Sequence, residues 1–183
     1  TPVDPEVLAA MQPYLSDFFG NPSSKHAFGI QTKKAVEKAR RQVADLLNCF
    51  PDEIVFTSGG TESNNFAIKG AAFQNKDKGR HIITSNIEHP SVTEVCHFLE
   101  NQGFNISRLP VDEAGILQPE ELEKAISKQT ILITVMHANN EIGSIQPIAE
   151  LTRIAKKHHI PFHTDAAQST GKIPTDVNEL GVD

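Results

Sequence analysis

Four short stretches hold most of the residues capable of chemistry. HTDAAQSTGK places Asp165 and Gln168 among small residues, directly after the apolar-leaning IPF. A buried strand that ends in a carboxylate must give that charge a partner, because an unpaired buried charge is costly. GGT, with Gly59, Gly60 and Thr61, stands before a helical pattern. Open backbone N–H groups, the positive end of a helix dipole and a hydroxyl suit a phosphate. The stretch is neither G-x-x-x-x-G-K-[ST] nor G-x-G-x-x-G, so a nucleotide is not the leading reading. NIEHP puts His89 beside Pro90, where its flat ring could stack on a flat ligand. MHANNEIG supplies Asn139, Asn140 and Glu141, and neutral carboxamides can hold a phenolate oxygen or a carboxylate. Each stretch also has a plainer reading. A Gly-Gly-Thr turn is often only a capped turn, His89 and Asp165 could be helix caps, and the Asn pair could support loop backbone.

The elements that must position these residues alternate along the chain. PEVLAAMQPYL predicts a first helix, and TKKAVEKARRQVADLL a second with Val36, Ala39, Val43, Leu46 and Leu47 on one face. Between them, residues 19–29, FGNPSSKHAFG, read as a loop. EIVFTS, HIITS, NISRLPV, TILITV and IPFHTD read as strands. Helices follow in the segments after GGT, in HPSVTEVCHFLENQG, in PEELEKAI and in PIAELTRIAKKHH, three of them with Pro at the start. Strands separated by helices imply right-handed crossovers and a mostly parallel sheet. In such sheets ligands sit beyond the carboxyl ends of the strands, and all four polar stretches stand directly after a strand.

Composition narrows the classes. With 183 residues the chain is long enough for one well-cored domain. A net charge of −6 gives no broad basic surface for nucleic acid or an anionic membrane. No apolar run approaches the roughly 20 residues of a membrane span. The two cysteines, Cys49 and Cys96, are too few for a disulfide framework and lack metal-type spacing, so no metal site is expected. Both read as small hydrophobes in a reducing compartment rather than catalytic thiols.

Taken jointly, a phosphate cradle, a flat stacking ring, carboxamides and an acid describe one cofactor. A carboxylate facing a ring nitrogen favours its protonated form. A protonated pyridine ring is an electron sink, which is how pyridoxal 5'-phosphate works.

The stretches GNPSSKHAFG, IVFTSGGTESNN, HIITSNIEHPSV, MHANNEIGSIQP and HTDAAQSTGKIPTDVNELGVD resemble, in order and over essentially the whole sequence, the cysteine desulfurases of the NifS/IscS type. These are class V, fold-type I pyridoxal-phosphate enzymes. The resemblance implies an α/β fold: a three-layer αβα large domain with a mostly parallel central sheet, incomplete at both ends. It implies that residues 1–20 belong with a small domain and residues 21–183 with the large cofactor-binding domain. By the same resemblance Gly60 and Thr61 hold the cofactor phosphate, and His89 stacks on the ring and is the candidate catalytic acid/base. Asn140 and Gln168 contact ring-side polar groups, Asp165 pairs with the ring nitrogen, and Asn21 helps hold the substrate carboxylate.

The implied activity is removal of sulfur from L-cysteine, leaving L-alanine and an enzyme persulfide for iron–sulfur cluster or thio-cofactor assembly. A homodimer, a sulfur-acceptor or scaffold protein, and a cytoplasmic or organelle-matrix setting come with it. Selenocysteine lyase of the same family is the near alternative. The sequence departs from the family pattern: the cofactor-lysine motif, the catalytic-cysteine loop, most of the small domain and a short segment before TPVDP are not matched. The Schiff-base lysine and the nucleophilic cysteine match no residue here: Lys172 lies in GKIP, a position without that role, and Cys49 and Cys96 are elsewhere. The expectation is therefore a portion of a longer enzyme. A non-catalytic module with the cofactor-domain fold is the alternative if the chain ends at Asp183.

Overall fold

A computed structural model describes residues 2–183. The chain divides into two compact units, one through Ile54 and one over Val55–Asp183.

The first unit is helical. The segment expected as one helix is two: α1 (Pro5–Met11) and α2 (Pro13–Ser16). Pro13 has no N–H to continue the first, but its fixed φ suits the start of the second. Asp4 caps α1 by accepting the Glu6 N–H at 2.8 Å. Helix α3 (Ala27–Leu47) begins inside the stretch expected as loop, because the His26 ring accepts the Gly29 N–H at 3.3 Å and so caps an earlier start. A Cβ at Gly29 would strike the carbonyls of Asn21 and Ser24, so the GNPSS loop can pack on α3 only through a glycine. Asn48, left-handed at φ 55°, ends the helix. Of the apolar face expected on α3, Leu46 is instead exposed.

The second unit is a three-layer αβα sandwich. Its parallel sheet runs β2–β1–β3–β4, with β1 (His81–Ser85), β2 (Asn105–Leu109), β3 (Thr130–Thr134) and β4 (Phe162–His163). Every residue of β1 and β3 is buried, as in parallel sheets covered on both faces. On one face Ile82, Ile131 and Leu132 pack with α4 (Gly60–Asn75) and α5 (Pro90–Asn101) through Ile68, Ala72, Val92, Val95 and Leu99. On the other, Ile83, Ile133, Val135 and Phe162 pack with α6 (Pro119–Ala125) and α7 (Ile148–Lys157) through Leu122, Leu151 and Ala155. A last turn of helix, α8 (Val177–Leu180), was not expected; Asp176 caps it. Past it, Asp183 exchanges hydrogen bonds with Phe162 on β4.

One expected strand is absent. EIVFTS closes a 3-10 turn at Glu53 and then runs to α4 without entering the sheet. Val55 and Phe56 are 61% and 49% exposed. β-branched and aromatic residues favour a strand only where a neighbour offers a ladder, and no sheet strand pairs with this segment. Cys96 is fully buried in the α4/α5 core and burial pushes its thiol up to about 11. Burial, and then Glu53, also raise Cys49. Neither environment favours a thiolate nucleophile.

Gly79 leads into β1, and a Cβ there would collide with the backbone of Gln129, whose carbonyl accepts the His81 N–H at 2.9 Å. Gly70 lies inside α4, where a Cβ meets nothing within 4 Å. In the full-length protein Gly79→Ala is expected to destabilise by about 1–3 kcal/mol. Gly70→Ala should stabilise by about 0.5–1 kcal/mol. Urea unfolding of both variants checks the opposite signs.

Candidate active site

The strand order places a topological switch between β1 and β3. The chain winds outward to β2 on one side and to β4 on the other, so the loops after β1 and β3 part and leave a crevice at their carboxyl ends. A half-open cavity of about 200 Å³ lies there. Its wall holds Gly60, Thr61, His89, Asn140, Asp165 and Gln168, with Ser91, Met136, Ala138 and Ala167. The six cofactor-binding residues expected from the sequence thus meet at one place. Asn21 lies in the first unit, where its side chain accepts the Ser23 N–H at 2.9 Å and closes a turn.

Each wall residue is positioned locally. Gly59 gives α4 no side-chain cap, so the first-turn N–H groups beside Gly60 and Thr61 are left for a ligand. Ser58 and Glu62 close the turn instead: the Ser58 N–H and hydroxyl each reach Glu62 Oε2 at 2.6 Å and hold that carboxyl below its usual range. A Cβ at Gly60 would stand in open space. His89 is the N-cap of α5, and its Nδ1 accepts the Ser91 N–H at 3.1 Å. The ring is nevertheless exposed at the cavity, so the capping and ligand-facing readings are compatible.

The two asparagines divide. Asn139 is buried; its carbonyl accepts from Glu141 N at 2.8 Å and Ile142 N at 2.9 Å, and its NH2 donates to Ile87 O at 2.9 Å. It supports loop backbone and ties the post-β3 loop to the post-β1 loop. Asn140 is exposed and lines the cavity. Gln168 accepts from Lys172 Nζ at 3.2 Å, which leaves its NH2 for a ligand.

Asp165 is half-buried. Its Oδ1 accepts the Ala167 N–H at 2.9 Å and its Oδ2 accepts from Asn64 Nδ2 at 2.7 Å. A carboxylate offers about four acceptor sites, so each oxygen keeps capacity for a further donor. His163, two residues earlier, is bonded through Nδ1 to Thr134 Oγ1 at 2.8 Å. Burial holds its ring down at about 4, although Asp165 pulls the other way.

Three polar residues went unmarked in the sequence reading. Asn64 and Ser91 connect Asp165 to His89. Glu88 is 8% exposed; its Oε1 accepts from Ser85 Oγ at 2.5 Å and from Met136 N at 2.9 Å, while Oε2 has no partner. Burial above all, with Asp165 adding, pushes its carboxyl up to about 7. The only sequence signal was an acid in the short loop after a strand, close to the signal that marked Asp165. Among the described residues no group of three or more His, Cys, Asp or Glu side chains could hold a metal ion, and no helix is long and apolar enough to cross a membrane.

The sequence profile of the family described as Aminotransferase class-V matches residues 1–183. The chain belongs to the class-V aminotransferases. It is 58% identical over 183 residues to cysteine desulfurase IscS of Dictyoglomus turgidum, covering 100% of this chain and 46% of that protein. It is 52% identical over 184 residues to the cysteine desulfurase of Homo sapiens, covering 100% of this chain and 40% of the other. Two solved structures share the fold with a TM-score of 0.96. SspA in complex with cysteine is 46% identical, with 100% of this chain and 53% of that one covered. A NifS-like protein is 43% identical, with 100% and 51% covered. The chain spans about half the length of the curated class-V relatives it matches.

Glu88 gives this class-V site a pH signature. Its carboxyl titrates near 7 in the folded chain against an ordinary 4.5. Between those values the folded chain holds a proton that the unfolded chain has released, so stability falls as pH rises through the window and levels off above it. His163, held down from 6.5 to about 4, acts oppositely and costs stability as pH falls. Glu88→Gln keeps a carbonyl acceptor for Ser85 and Met136 and leaves His163 in place. Between pH 4.5 and 8 the wild-type protein is therefore expected to lose about 3 kcal/mol relative to Glu88→Gln, checked by chemical unfolding across pH.

Proposed function

We propose that the protein is a pyridoxal-phosphate-dependent cysteine desulfurase. The observation that carries this reading is the half-buried Asp165 at a switch-point cavity whose wall also holds Gly60, Thr61, His89, Asn140 and Gln168. The donor set fits the cofactor. The uncapped start of α4 suits its phosphate. Two carboxamides suit its ring oxygen. Asp165 has acceptor capacity for a protonated ring nitrogen, and among the described residues no lysine or arginine lines the cavity to compete for that carboxylate. The names of the relatives described above and the cysteine bound to SspA point to the same substrate.

In this reading Gly60 and Thr61 bind the phosphate through backbone N–H groups and the Thr61 hydroxyl. Asp165 holds the ring nitrogen protonated by opposite charge. When bound, pyridoxal phosphate supplies an electron sink that weakens bonds at the amino-acid carbons. Asn140 and Gln168 donate to the ring oxygen and fix its orientation. His89 presents a flat ring and, with Nδ1 occupied by Ser91, gives and takes protons at Nε2. The products are L-alanine and a persulfide, the sulfur passing from the substrate Cβ to a nucleophilic thiolate that neither Cys49 nor Cys96 supplies, and from there toward iron–sulfur cluster or thio-cofactor assembly.

The wider expectations remain part of this proposal: residues 1–20 in a small domain and residues 21–183 in the large one, Asn21 near the substrate carboxylate, a homodimer, a sulfur acceptor, and a cytoplasmic or organelle-matrix setting. Exposed apolar side chains such as Phe66, at 66%, and Ile142, at 62%, support a further covering surface.

Asp165→Asn in the full-length protein is expected to shift the cofactor absorbance and to lower alanine formation from L-cysteine by on the order of a hundredfold. Unchanged spectrum and turnover would reject the role of Asp165. The same assay with L-selenocysteine separates the lyase alternative.

A further inference from the structure

Asn64 sits one turn into α4 and is 4% exposed. Its side-chain nitrogen donates twice, to Asp165 Oδ2 at 2.7 Å and to Ser91 Oγ at 2.8 Å. An amide NH2 has two hydrogens, so both are committed. The flipped amide would set its carbonyl oxygen against the Asp165 carboxylate, acceptor against acceptor, so the orientation follows from the hydrogen bonding.

The direction of the next bond is then determined. Ser91 Oγ accepts from Asn64 and turns its own hydrogen to His89 Nδ1, 2.8 Å away. The Ser91 N–H donates to the same nitrogen at 3.1 Å. A ring nitrogen that accepts carries no proton, so the neutral imidazole is protonated at Nε2. The exposed nitrogen is thus the one that bears hydrogen.

We propose that Asn64 is a positioning residue that couples Asp165 to His89: one buried carboxamide fixes the aim of the carboxylate and, through the Ser91 hydroxyl, the tautomer of the histidine. The inference deepens the proposed function, since it rests on Asp165 and His89 serving the cofactor. The hydrogen-bond relay itself does not depend on that reading. Asn64 lies behind the cavity wall and does not line it. It removes the freedom of Asp165 to rotate toward other donors and the freedom of Ser91 to accept from His89.

Two variants separate the arms. Ser91→Ala cuts only the arm to His89. Asn64→Leu, close in volume, cuts both. The first readout is the 15N NMR spectrum of His89 in the full-length protein, with and without bound pyridoxal phosphate. The wild type is expected as the Nε2–H tautomer in both states, and each variant, which keeps the residue 91 backbone N–H on Nδ1 but loses the oriented hydroxyl, should shift part of the population to the Nδ1–H form. The second readout is the cofactor absorbance as a function of pH, which should move in Asn64→Leu and hold in Ser91→Ala. The third is turnover of L-cysteine. Asn64→Leu should lower kcat on the order of tenfold, with KM within about twofold.

A wild-type His89 protonated at Nδ1 would overturn the proposal, as would an Asn64→Leu protein with unchanged tautomer and unchanged absorbance. If Asn64→Leu fails to fold, the wild-type tautomer and its change in Ser91→Ala decide the matter. A wild-type protein without desulfurase activity, alongside the expected tautomer shift in the variants, would count against the assigned reaction and not against the relay.

Discussion

β1 is hydrogen-bonded in parallel on both edges, to β2 and to β3, and helices cover both of its faces. A strand enclosed in this way can meet a ligand only at its ends. Its carboxyl end lies where the chain turns away in two directions, so the loops on either side have no common strand to close over. The cavity is what the winding leaves between them. Its walls inherit rigidity from backbone fixed by five consecutive buried residues in β1 and five in β3. Residues directly after those strands start from well-defined positions, which is what a site that must place several groups within a hydrogen bond of one ligand requires.

The loops that leave the sheet would still be mobile without further ties, and buried polar side chains provide them. Glu88 accepts the Met136 N–H and Asn139 donates to Ile87 O, so the post-β3 loop donates twice to the post-β1 loop. The His137 N–H donates to Asp165 O at 2.9 Å and joins the post-β4 turn to the same assembly. Such bonds contribute about 1 kcal/mol each in net terms. The stronger constraint is the cost of breaking them, since a buried polar group without its partner loses its full desolvation energy. The polar cluster thus specifies one loop arrangement more than it adds stability.

How much of this was legible in the sequence depends on the range of the interaction. HIITS and TILITV read correctly as strands because burial on both faces leaves a largely apolar, β-branched run. The helices after Gly59, His89 and Gln118 carried their starts in Gly, Pro and cap residues. Asp165, His89 and Asn140 were visible because each lies in the loop that follows a strand. EIVFTS misled because a strand is defined by a neighbour and its composition names none. Pro13 split α1 from α2 by removing one donor, a local rule that a strong helical pattern on both sides obscured. Asn64 was invisible for a different reason. Its partner Asp165 lies 101 residues away, and nothing about an asparagine in TESNN distinguishes a buried fork from a solvated side chain.

Glu88 and His89 show how such a site divides labour between neighbours. The chain is extended at His89, with φ −63° and ψ 150°, so adjacent side chains leave it in different directions. One enters the interior and the other faces the cavity. Buried Glu88 spends its carboxyl on Ser85 and Met136, which fixes the backbone that His89 departs from. His89 spends one nitrogen on its own helix and keeps the other at the cavity wall. A change of acid at position 88 therefore reaches the histidine through main-chain geometry, and a change at Asn64 reaches it through the proton on its ring. The two routes act on different coordinates of one side chain, the place of the ring and the place of its hydrogen, and proton transfer needs both to be set before a ligand arrives.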